Sequence, residues 1–186
     1  MTRTALVPWL LAAALLSGAA QAQTPENIQL QVTPDPAGGA RVQGGIDIPA
    51  SPEVVWDVML DCSEALRYVP KLKGCRVLQA GPGWDVREHV FDYGVLGRIR
   101  HVFRSDYTGE SRIRVSRVEG DLKASQGEWR LEPLDGGKAT RVRYSSRSQP
   151  KTPVPGPIAR QAIRRDAPAS LRGLRNAAAR RAGHGG

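Results

Sequence analysis

The chain has 186 residues, 27 lysines and arginines against 18 aspartates and glutamates, and a formal charge of +9 with its three histidines neutral. That length fits one domain able to bury about two-thirds of the surface its unfolded chain exposes. Two cysteines and three scattered histidines have no zinc-ligand spacing, and there is no phosphate-binding glycine loop or nucleophile elbow, so the residues spell neither a metal centre nor a cofactor site.

At the start of the chain, Arg3 precedes an apolar run over residues 6–16, and Ala20-Gln21-Ala22 closes it with small side chains. The run is short of the roughly 20 residues that span a bilayer, so the pattern predicts a secretory signal peptide over residues 1–22, cleaved before Gln23. Export to the periplasm or beyond follows, leaving about 164 residues with a charge near +8. Such a charge favours anionic membranes or acidic proteins, and an exported protein has little access to nucleic acid. Residues 23–40 read as an N-terminal extension and residues 182–186 as a loose tail.

Between them, Val42, Gly44, Ile46 and Ile48 alternate as in a half-buried strand. Ser51-Pro52-Glu53 then offers a helix cap, a proline at the first helical position and an acid at the positive helix end. Val54, Val55, Met59 and Leu60, with Trp56, supply the buried side of that helix, and Asp61-Cys62-Ser63-Glu64 opens a second short helix ending near Pro70. Cys62 and Cys75 have 12 residues between them, and an even pair in an oxidising compartment predicts a disulfide.

Residues 75–78, 85–91, 98–107, 111–118, 122–131 and 139–147 read as strands. Turn chemistry separates them, most plainly Gly81-Pro82-Gly83 and Asp135-Gly136-Gly137. With residues 41–48 they make about seven strands in consecutive, hence antiparallel, order. A proline-rich connector over 150–157 leads to a helix over about 158–181, with apolar residues at Ile158, Ala162, Ile163, Ala167, Leu171, Leu174 and Ala178. Pro168 inside it predicts a kink.

Chemistry is sparse. Glu88 and His89 are neighbours on a strand and face opposite sides; His89 and His101 can meet across a hairpin, but a catalytic or metal role needs a third group. Asp92, Asp106 and Tyr107 read as turn and strand-end residues. A binding cavity is the stronger expectation. Ile99, His101 and Phe103 share one strand face while Arg98, Arg100 and Arg104 share the other, and Ile113 with Val115, Trp129 with Leu131, and Val142 with Tyr144 repeat the alternation. The candidate ligand contacts are His101, Phe103, Ile113, Val115, Trp129 and Tyr144, joined by Leu171 and Leu174 of the last helix. Ordinary core is the alternative for each. On that helix Arg160, Arg164, Arg165, Arg172 and Arg175 outnumber the single Asp166, as a solvated face or as a surface for anionic lipid.

The segment Ile48-Pro49-Ala50-Ser51-Pro52-Glu53-Val54-Val55-Trp56-Asp57-Val58 resembles the START-like superfamily, which includes polyketide cyclases and coenzyme Q-binding proteins. The likeness continues through Arg100-His101-Val102-Phe103-Arg104-Ser105-Asp106-Tyr107, Val118-Glu119-Gly120-Asp121-Leu122, Gly127-Glu128-Trp129-Arg130-Leu131 and Arg164-Arg165-Asp166-Ala167-Pro168. It implies an α+β helix-grip fold over residues 41–181: a curved antiparallel sheet of about seven strands, two short helices after the first, and a long C-terminal helix over the concave face. Its implied function is non-catalytic binding of a lipid-like or other hydrophobic small molecule, a polyprenyl compound among them, with exchange at a membrane. The alternatives are a cyclase or aromatase-type enzyme in which Tyr144, His101 or Glu128 moves protons, and a protein-interaction module built on the arginine-rich helix.

Overall fold

The computed structural model describes residues 27–36, 38–151 and 156–183. The expected signal peptide and the last three residues of the expected tail lie outside this range. Extended segments pair in sequence order wherever a tight turn permits. The strands are β1 (Gln29–Pro34), β2 (Ala40–Ile48), β3 (Leu72–Gly81), β4 (Trp84–Asp92), β5 (Arg98–Thr108), β6 (Arg112–Gly120), β7 (Leu122–Leu134) and β8 (Ala139–Pro150). All neighbours are antiparallel in one curved sheet of order β1-β2-β8-β7-β6-β5-β4-β3. In the β7–β8 turn at Asp135–Gly137, Gly136 and Gly137 take φ of 65° and 90°, a region glycine enters without steric cost.

Between β2 and β3 the chain crosses from one side of the sheet to the far edge through α1 (Pro52–Leu60) and α2 (Cys62–Tyr68). Both begin as their sequences direct. The Ser51 hydroxyl accepts the Val54 N–H, with Pro52 in the first turn, and the Asp61 carboxylate accepts the Ser63 and Glu64 N–H groups. The crossing is tied down by the Cys62–Cys75 disulfide, which joins α2 to edge strand β3 with Cα atoms 5.4 Å apart. On the chain-entropy estimate a loop of this size stabilises the fold by about 3 kcal/mol.

The last helix, α3 (Gly156–Gly183), starts slightly earlier than its apolar spacing suggests and continues through Pro168 to the end of the described chain. Its lower half packs on β2, α1 and α2. There Leu171, Leu174, Ala177 and Ala178 join Ile46, Ile48, Val55, Val58, Leu131 and Val142 in the main core. No helix among the described residues is long and apolar enough to cross a membrane.

The sheet has an eighth strand, β1, from the segment read as an extension; Val32 lies opposite Val42 in register. The other face carries the charge. Glu88 bridges Arg76 and Arg100 at 2.5 Å each, Asp47 takes both Nε and Nη2 of Arg141 at 2.8 Å, and Glu128 pairs with Arg114 and Arg130. The alternation expected on β5 is visible in this split: Arg100 and Arg104 are held by acids on the outer face, while Phe103 is buried on the inner one.

Candidate functional site

The core does not fill the space beneath the upper half of α3. There the concave side of β4 to β8 and the helix line a partly open cavity of about 320 Å³, near the lower end of the roughly 300–1,000 Å³ typical of small-molecule pockets. All eight sequence-predicted contacts are brought together in its wall: His101 and Phe103 on β5, Ile113 and Val115 on β6, Trp129 on β7, Tyr144 on β8, and Leu171 and Leu174 on α3. The rings of Trp129 and Tyr144 pack 4.1 Å apart between centroids, and Phe103 lies 5.0 Å from His101 and 4.8 Å from His89.

Sequence reasoning missed the contribution of β4 and of the short helices. Arg87, His89 and Phe91 of β4 line the cavity, as do Met59, Leu60 and Tyr68 from α1 and α2. The β4 residues had a signal: Arg87, His89 and Phe91 share one parity, and in the β4–β5 register His89 stands directly opposite His101. Among the described residues no three His, Cys, Asp or Glu side chains could hold a metal ion together.

At one end of the cavity the wall turns polar. Arg87, only 7% exposed, donates from Nε to Asp85 Oδ2 at 2.5 Å and from Nη1 to the Leu60 carbonyl at 2.8 Å. The Tyr107 hydroxyl donates to the same Asp85 oxygen at 2.6 Å, and the Trp56 ring lies 5.4 Å from that of Tyr107 at a steep angle. Tyr107 stands at the end of β5, as its sequence position suggested, and is also part of a buried ionic cluster; burial and its bond to Asp85 push its hydroxyl up to about 12. Asp92 does serve as a turn residue, accepting the Gly94 N–H at 2.8 Å.

Elsewhere the lining is uncharged. Burial pushes His89 down to about 4, helped by the nearby His101 and the charge of Arg87; burial likewise holds His101 at about 4, with Arg117 adding to the effect. Burial also raises Tyr144, against a hydrogen bond with Ser146 that lowers it, and raises Tyr68. At neutral pH the cavity thus presents aromatic and aliphatic surface with a few neutral hydrogen-bonding groups.

Other predicted groups lie elsewhere. Glu128 is on the outer face with Arg114 and Arg130, so it cannot move protons in the cavity as the cyclase alternative supposed; it alternates with Trp129, and a strand sends neighbours to opposite sides. Arg164, Arg165 and Arg172 are exposed on α3, Arg165 pairing with Asp166 at 2.8 Å, whereas Arg175 is half-buried. The Arg160 side chain lies outside the described residues. A larger groove of about 790 Å³ runs along the outer face beside β1, but it is open and polar, and its Arg141 and Arg143 are paired with Asp47 and Glu132.

A curved antiparallel sheet gripping a long helix over an apolar cavity defines the START-like class of helix-grip proteins. The chain belongs to the polyketide cyclase / dehydrase and lipid transport family, whose family model matches residues 48–175. No curated protein matches it in sequence. Solved structures of the same fold include a STAR-related lipid transfer protein from Xanthomonas axonopodis, 17% identical over 84% of this chain and 96% of that one, with a TM-score of 0.71. They also include the Zhui aromatase/cyclase from Streptomyces sp. R1128, at 20% identity, 76% and 94% coverage and a TM-score of 0.65. A START superfamily protein from Mycobacterium smegmatis is 20% identical over 78% of this chain and 99% of that one, with a TM-score of 0.60.

The depressed histidines predict a pH dependence of stability. Between about pH 6.5 and 4 the unfolded chain takes up protons on these two residues and the folded chain does not, so stability is level above that window and falls as pH drops through it. Asp47, Asp61, Asp92, Glu88 and Glu128 are all held below their usual values by hydrogen bonds and nearby arginines, and they add to the loss only as pH falls below about 4.5. Urea midpoints should fall from pH 6.5 to 5, and His89→Phe with His101→Phe should flatten that fall; an equal slope in the double variant contradicts the assignment.

Proposed function

We propose that this chain is an exported, non-catalytic carrier that holds a lipid-like or other hydrophobic small molecule between the sheet and α3. The observation that carries the reading is the cavity itself, walled by Phe103, Ile113, Val115, Trp129, Leu171 and Leu174 and neutral in all but one corner. In that corner Arg87 is already bonded to Asp85 and the Leu60 carbonyl. The signal-like residues 1–22 and the Cys62–Cys75 disulfide support an oxidising, extracytoplasmic setting. Polyprenyl compounds are within the class of cargo.

Exchange with a membrane is part of the proposal. Val95, fully exposed at the tip of the β4–β5 turn, sits on the same hairpin as the cavity residue Phe91. Tyr93, stacked on Phe91, feels the charges of Asp166 and Arg165 on α3. An apolar tip beside exposed Arg164 and Arg165 suits an anionic bilayer surface.

A cyclase or aromatase-type enzyme is the second reading, favoured by one observation: His101 and Tyr144, two of the three groups such chemistry was expected to use, do face the cavity.

Two measurements check the carrier reading. N-phenyl-1-naphthylamine should bind with a saturable rise in fluorescence at one site per chain, and Ser170→Trp, which projects bulk from α3 into the cavity, should abolish it while unfolding stays cooperative; undiminished binding contradicts the site. Vesicles containing phosphatidylglycerol should retain the protein at low salt and release it at high salt, and Val95→Asp with Arg164→Glu and Arg165→Glu should prevent retention. Equal retention by neutral vesicles contradicts the membrane surface.

A further inference from the structure

A carrier must let its cargo in and out, and one wall of the cavity depends on outside support to stay closed. α2 and the residue that follows it contribute Ala65, Tyr68 and Val69 to the lining, yet the helix has only seven residues, too few to persist without tertiary contacts. It leaves for β3 through Val69, Pro70 and Lys71, and Lys71 takes φ of 65°, a left-handed conformation that a residue with a side chain adopts only at a cost. Towards α3 it has the close approach of Gly173 to Tyr68 and two solvent-facing ion pairs, Glu64 with Arg180 at 4.0 Å and Asp61 with Arg181 at 3.7 Å. Exposed pairs of this kind contribute little. The covalent tie across this corner is the Cys62–Cys75 disulfide, from the first turn of α2 to edge strand β3.

That tie is within reach of a reductant. Both cysteines are half-buried rather than sealed in the core, and a disulfide exchanges where a thiolate can approach one of its sulfurs. Apolar side chains flank it. Leu66 stands one helical turn from Cys62 and is 41% exposed; Val77 shares the strand face of Cys75 and is 50% exposed; Leu78, in the β3 bulge beside it, is 43% exposed. They are three of the six exposed large hydrophobic side chains among the described residues, and they lie beside one disulfide at an edge of the sheet. Exposed apolar groups gathered in this way mark protein interaction sites. In an oxidising compartment free small thiols are scarce, so opening the bond takes a protein that brings its own pair of thiols.

We propose, resting on the carrier reading, that the Cys62–Cys75 disulfide is a latch on the cavity wall, opened by a dithiol protein that docks on Leu66, Val77 and Leu78, and that reduction frees α2 and speeds cargo exchange. The partner's thiolate attacks the Sγ of one cysteine, the Cys62–Cys75 bond breaks, and the other cysteine leaves as a thiolate that takes up a proton. The partner's second thiol, as its thiolate, then attacks the partner's own sulfur in the mixed disulfide. This releases the remaining cysteine as a second thiol and leaves the partner oxidised to a disulfide. Re-oxidation by a disulfide-bearing protein runs the same steps in reverse and closes the wall.

The test compares the oxidised and reduced protein. Stopped-flow release of N-phenyl-1-naphthylamine should be about tenfold faster or more after reduction, and Cys62→Ser with Cys75→Ser should release at the fast rate whatever the redox state. Amide hydrogen exchange should show protection lost over residues 65–69 on reduction and kept on β7 and β8. Reduced thioredoxin, as the dithiol probe, should open the bond at least about tenfold faster than dithiothreitol at equal thiolate concentration. Leu66→Ser with Val77→Ser and Leu78→Ser should remove that advantage and leave the dithiothreitol reaction unchanged. An unchanged release rate, loss of protection throughout the sheet on reduction, or a thioredoxin advantage that survives the triple variant overturns the latch and leaves the carrier reading intact. Failure of the oxidised protein to bind the fluorescent probe overturns both.

Discussion

Gly173 lets α3 approach α2 so closely that an added Cβ would sit 2.7 Å from the Tyr68 carbonyl oxygen and 2.8 Å from its Cβ. That contact fixes the height of the helix above the sheet. Ala177 and Ala178 join Ile46, Ile48, Val55 and Val142 in the core, Leu171 and Leu174 belong both to that core and to the cavity wall, and the space between the helix and β4 to β6 is left unfilled. The cavity is thus a consequence of where the helix is held. A larger residue at 173 must push α3 away or displace Tyr68, one of the cavity's own walls.

The same geometry divides the molecule electrostatically. Arginines are plentiful, but most of those on the sheet stand on the outer face with Glu88, Glu128, Glu132 and Asp47 between them, while on the inner face Arg87 is buried and bound to Asp85. A buried pair of this kind contributes little net stability, yet removing one partner strands the other charge. It closes one end of the cavity with a fixed ionic cluster, and the two histidines, discharged by burial, keep the rest neutral. Neutral surroundings suit a family whose description spans lipid transport and polyketide cyclisation.

Much of this was legible in the residues. Alternation on the later strands named six cavity residues because a half-buried sheet writes its inner face with a period of two, helical spacing added Leu171 and Leu174, and Ser51-Pro52 and Asp61 announced both helix starts through chemistry confined to a single turn. What escaped notice depended on partners distant in sequence. β1 reads poorly because Gln29, Gln31 and Pro34 dilute its alternation, and it becomes a strand by pairing with β2. On β4 the inward face carries Asp85, Arg87 and His89, so no apolar stripe marks the inner side until pairing with β5 sets the register. Tyr107 stands at a strand end as read, but its role in the ionic cluster was hidden because its partner Asp85 lies 22 residues away.

The central claim is that the space beneath α3 holds a small apolar molecule. Native mass spectrometry of the protein taken from the organism that makes it, followed by denaturation and identification of anything released, tests that most directly. The account predicts a stoichiometric apolar compound; a bare protein mass under conditions that preserve the N-phenyl-1-naphthylamine complex would contradict it.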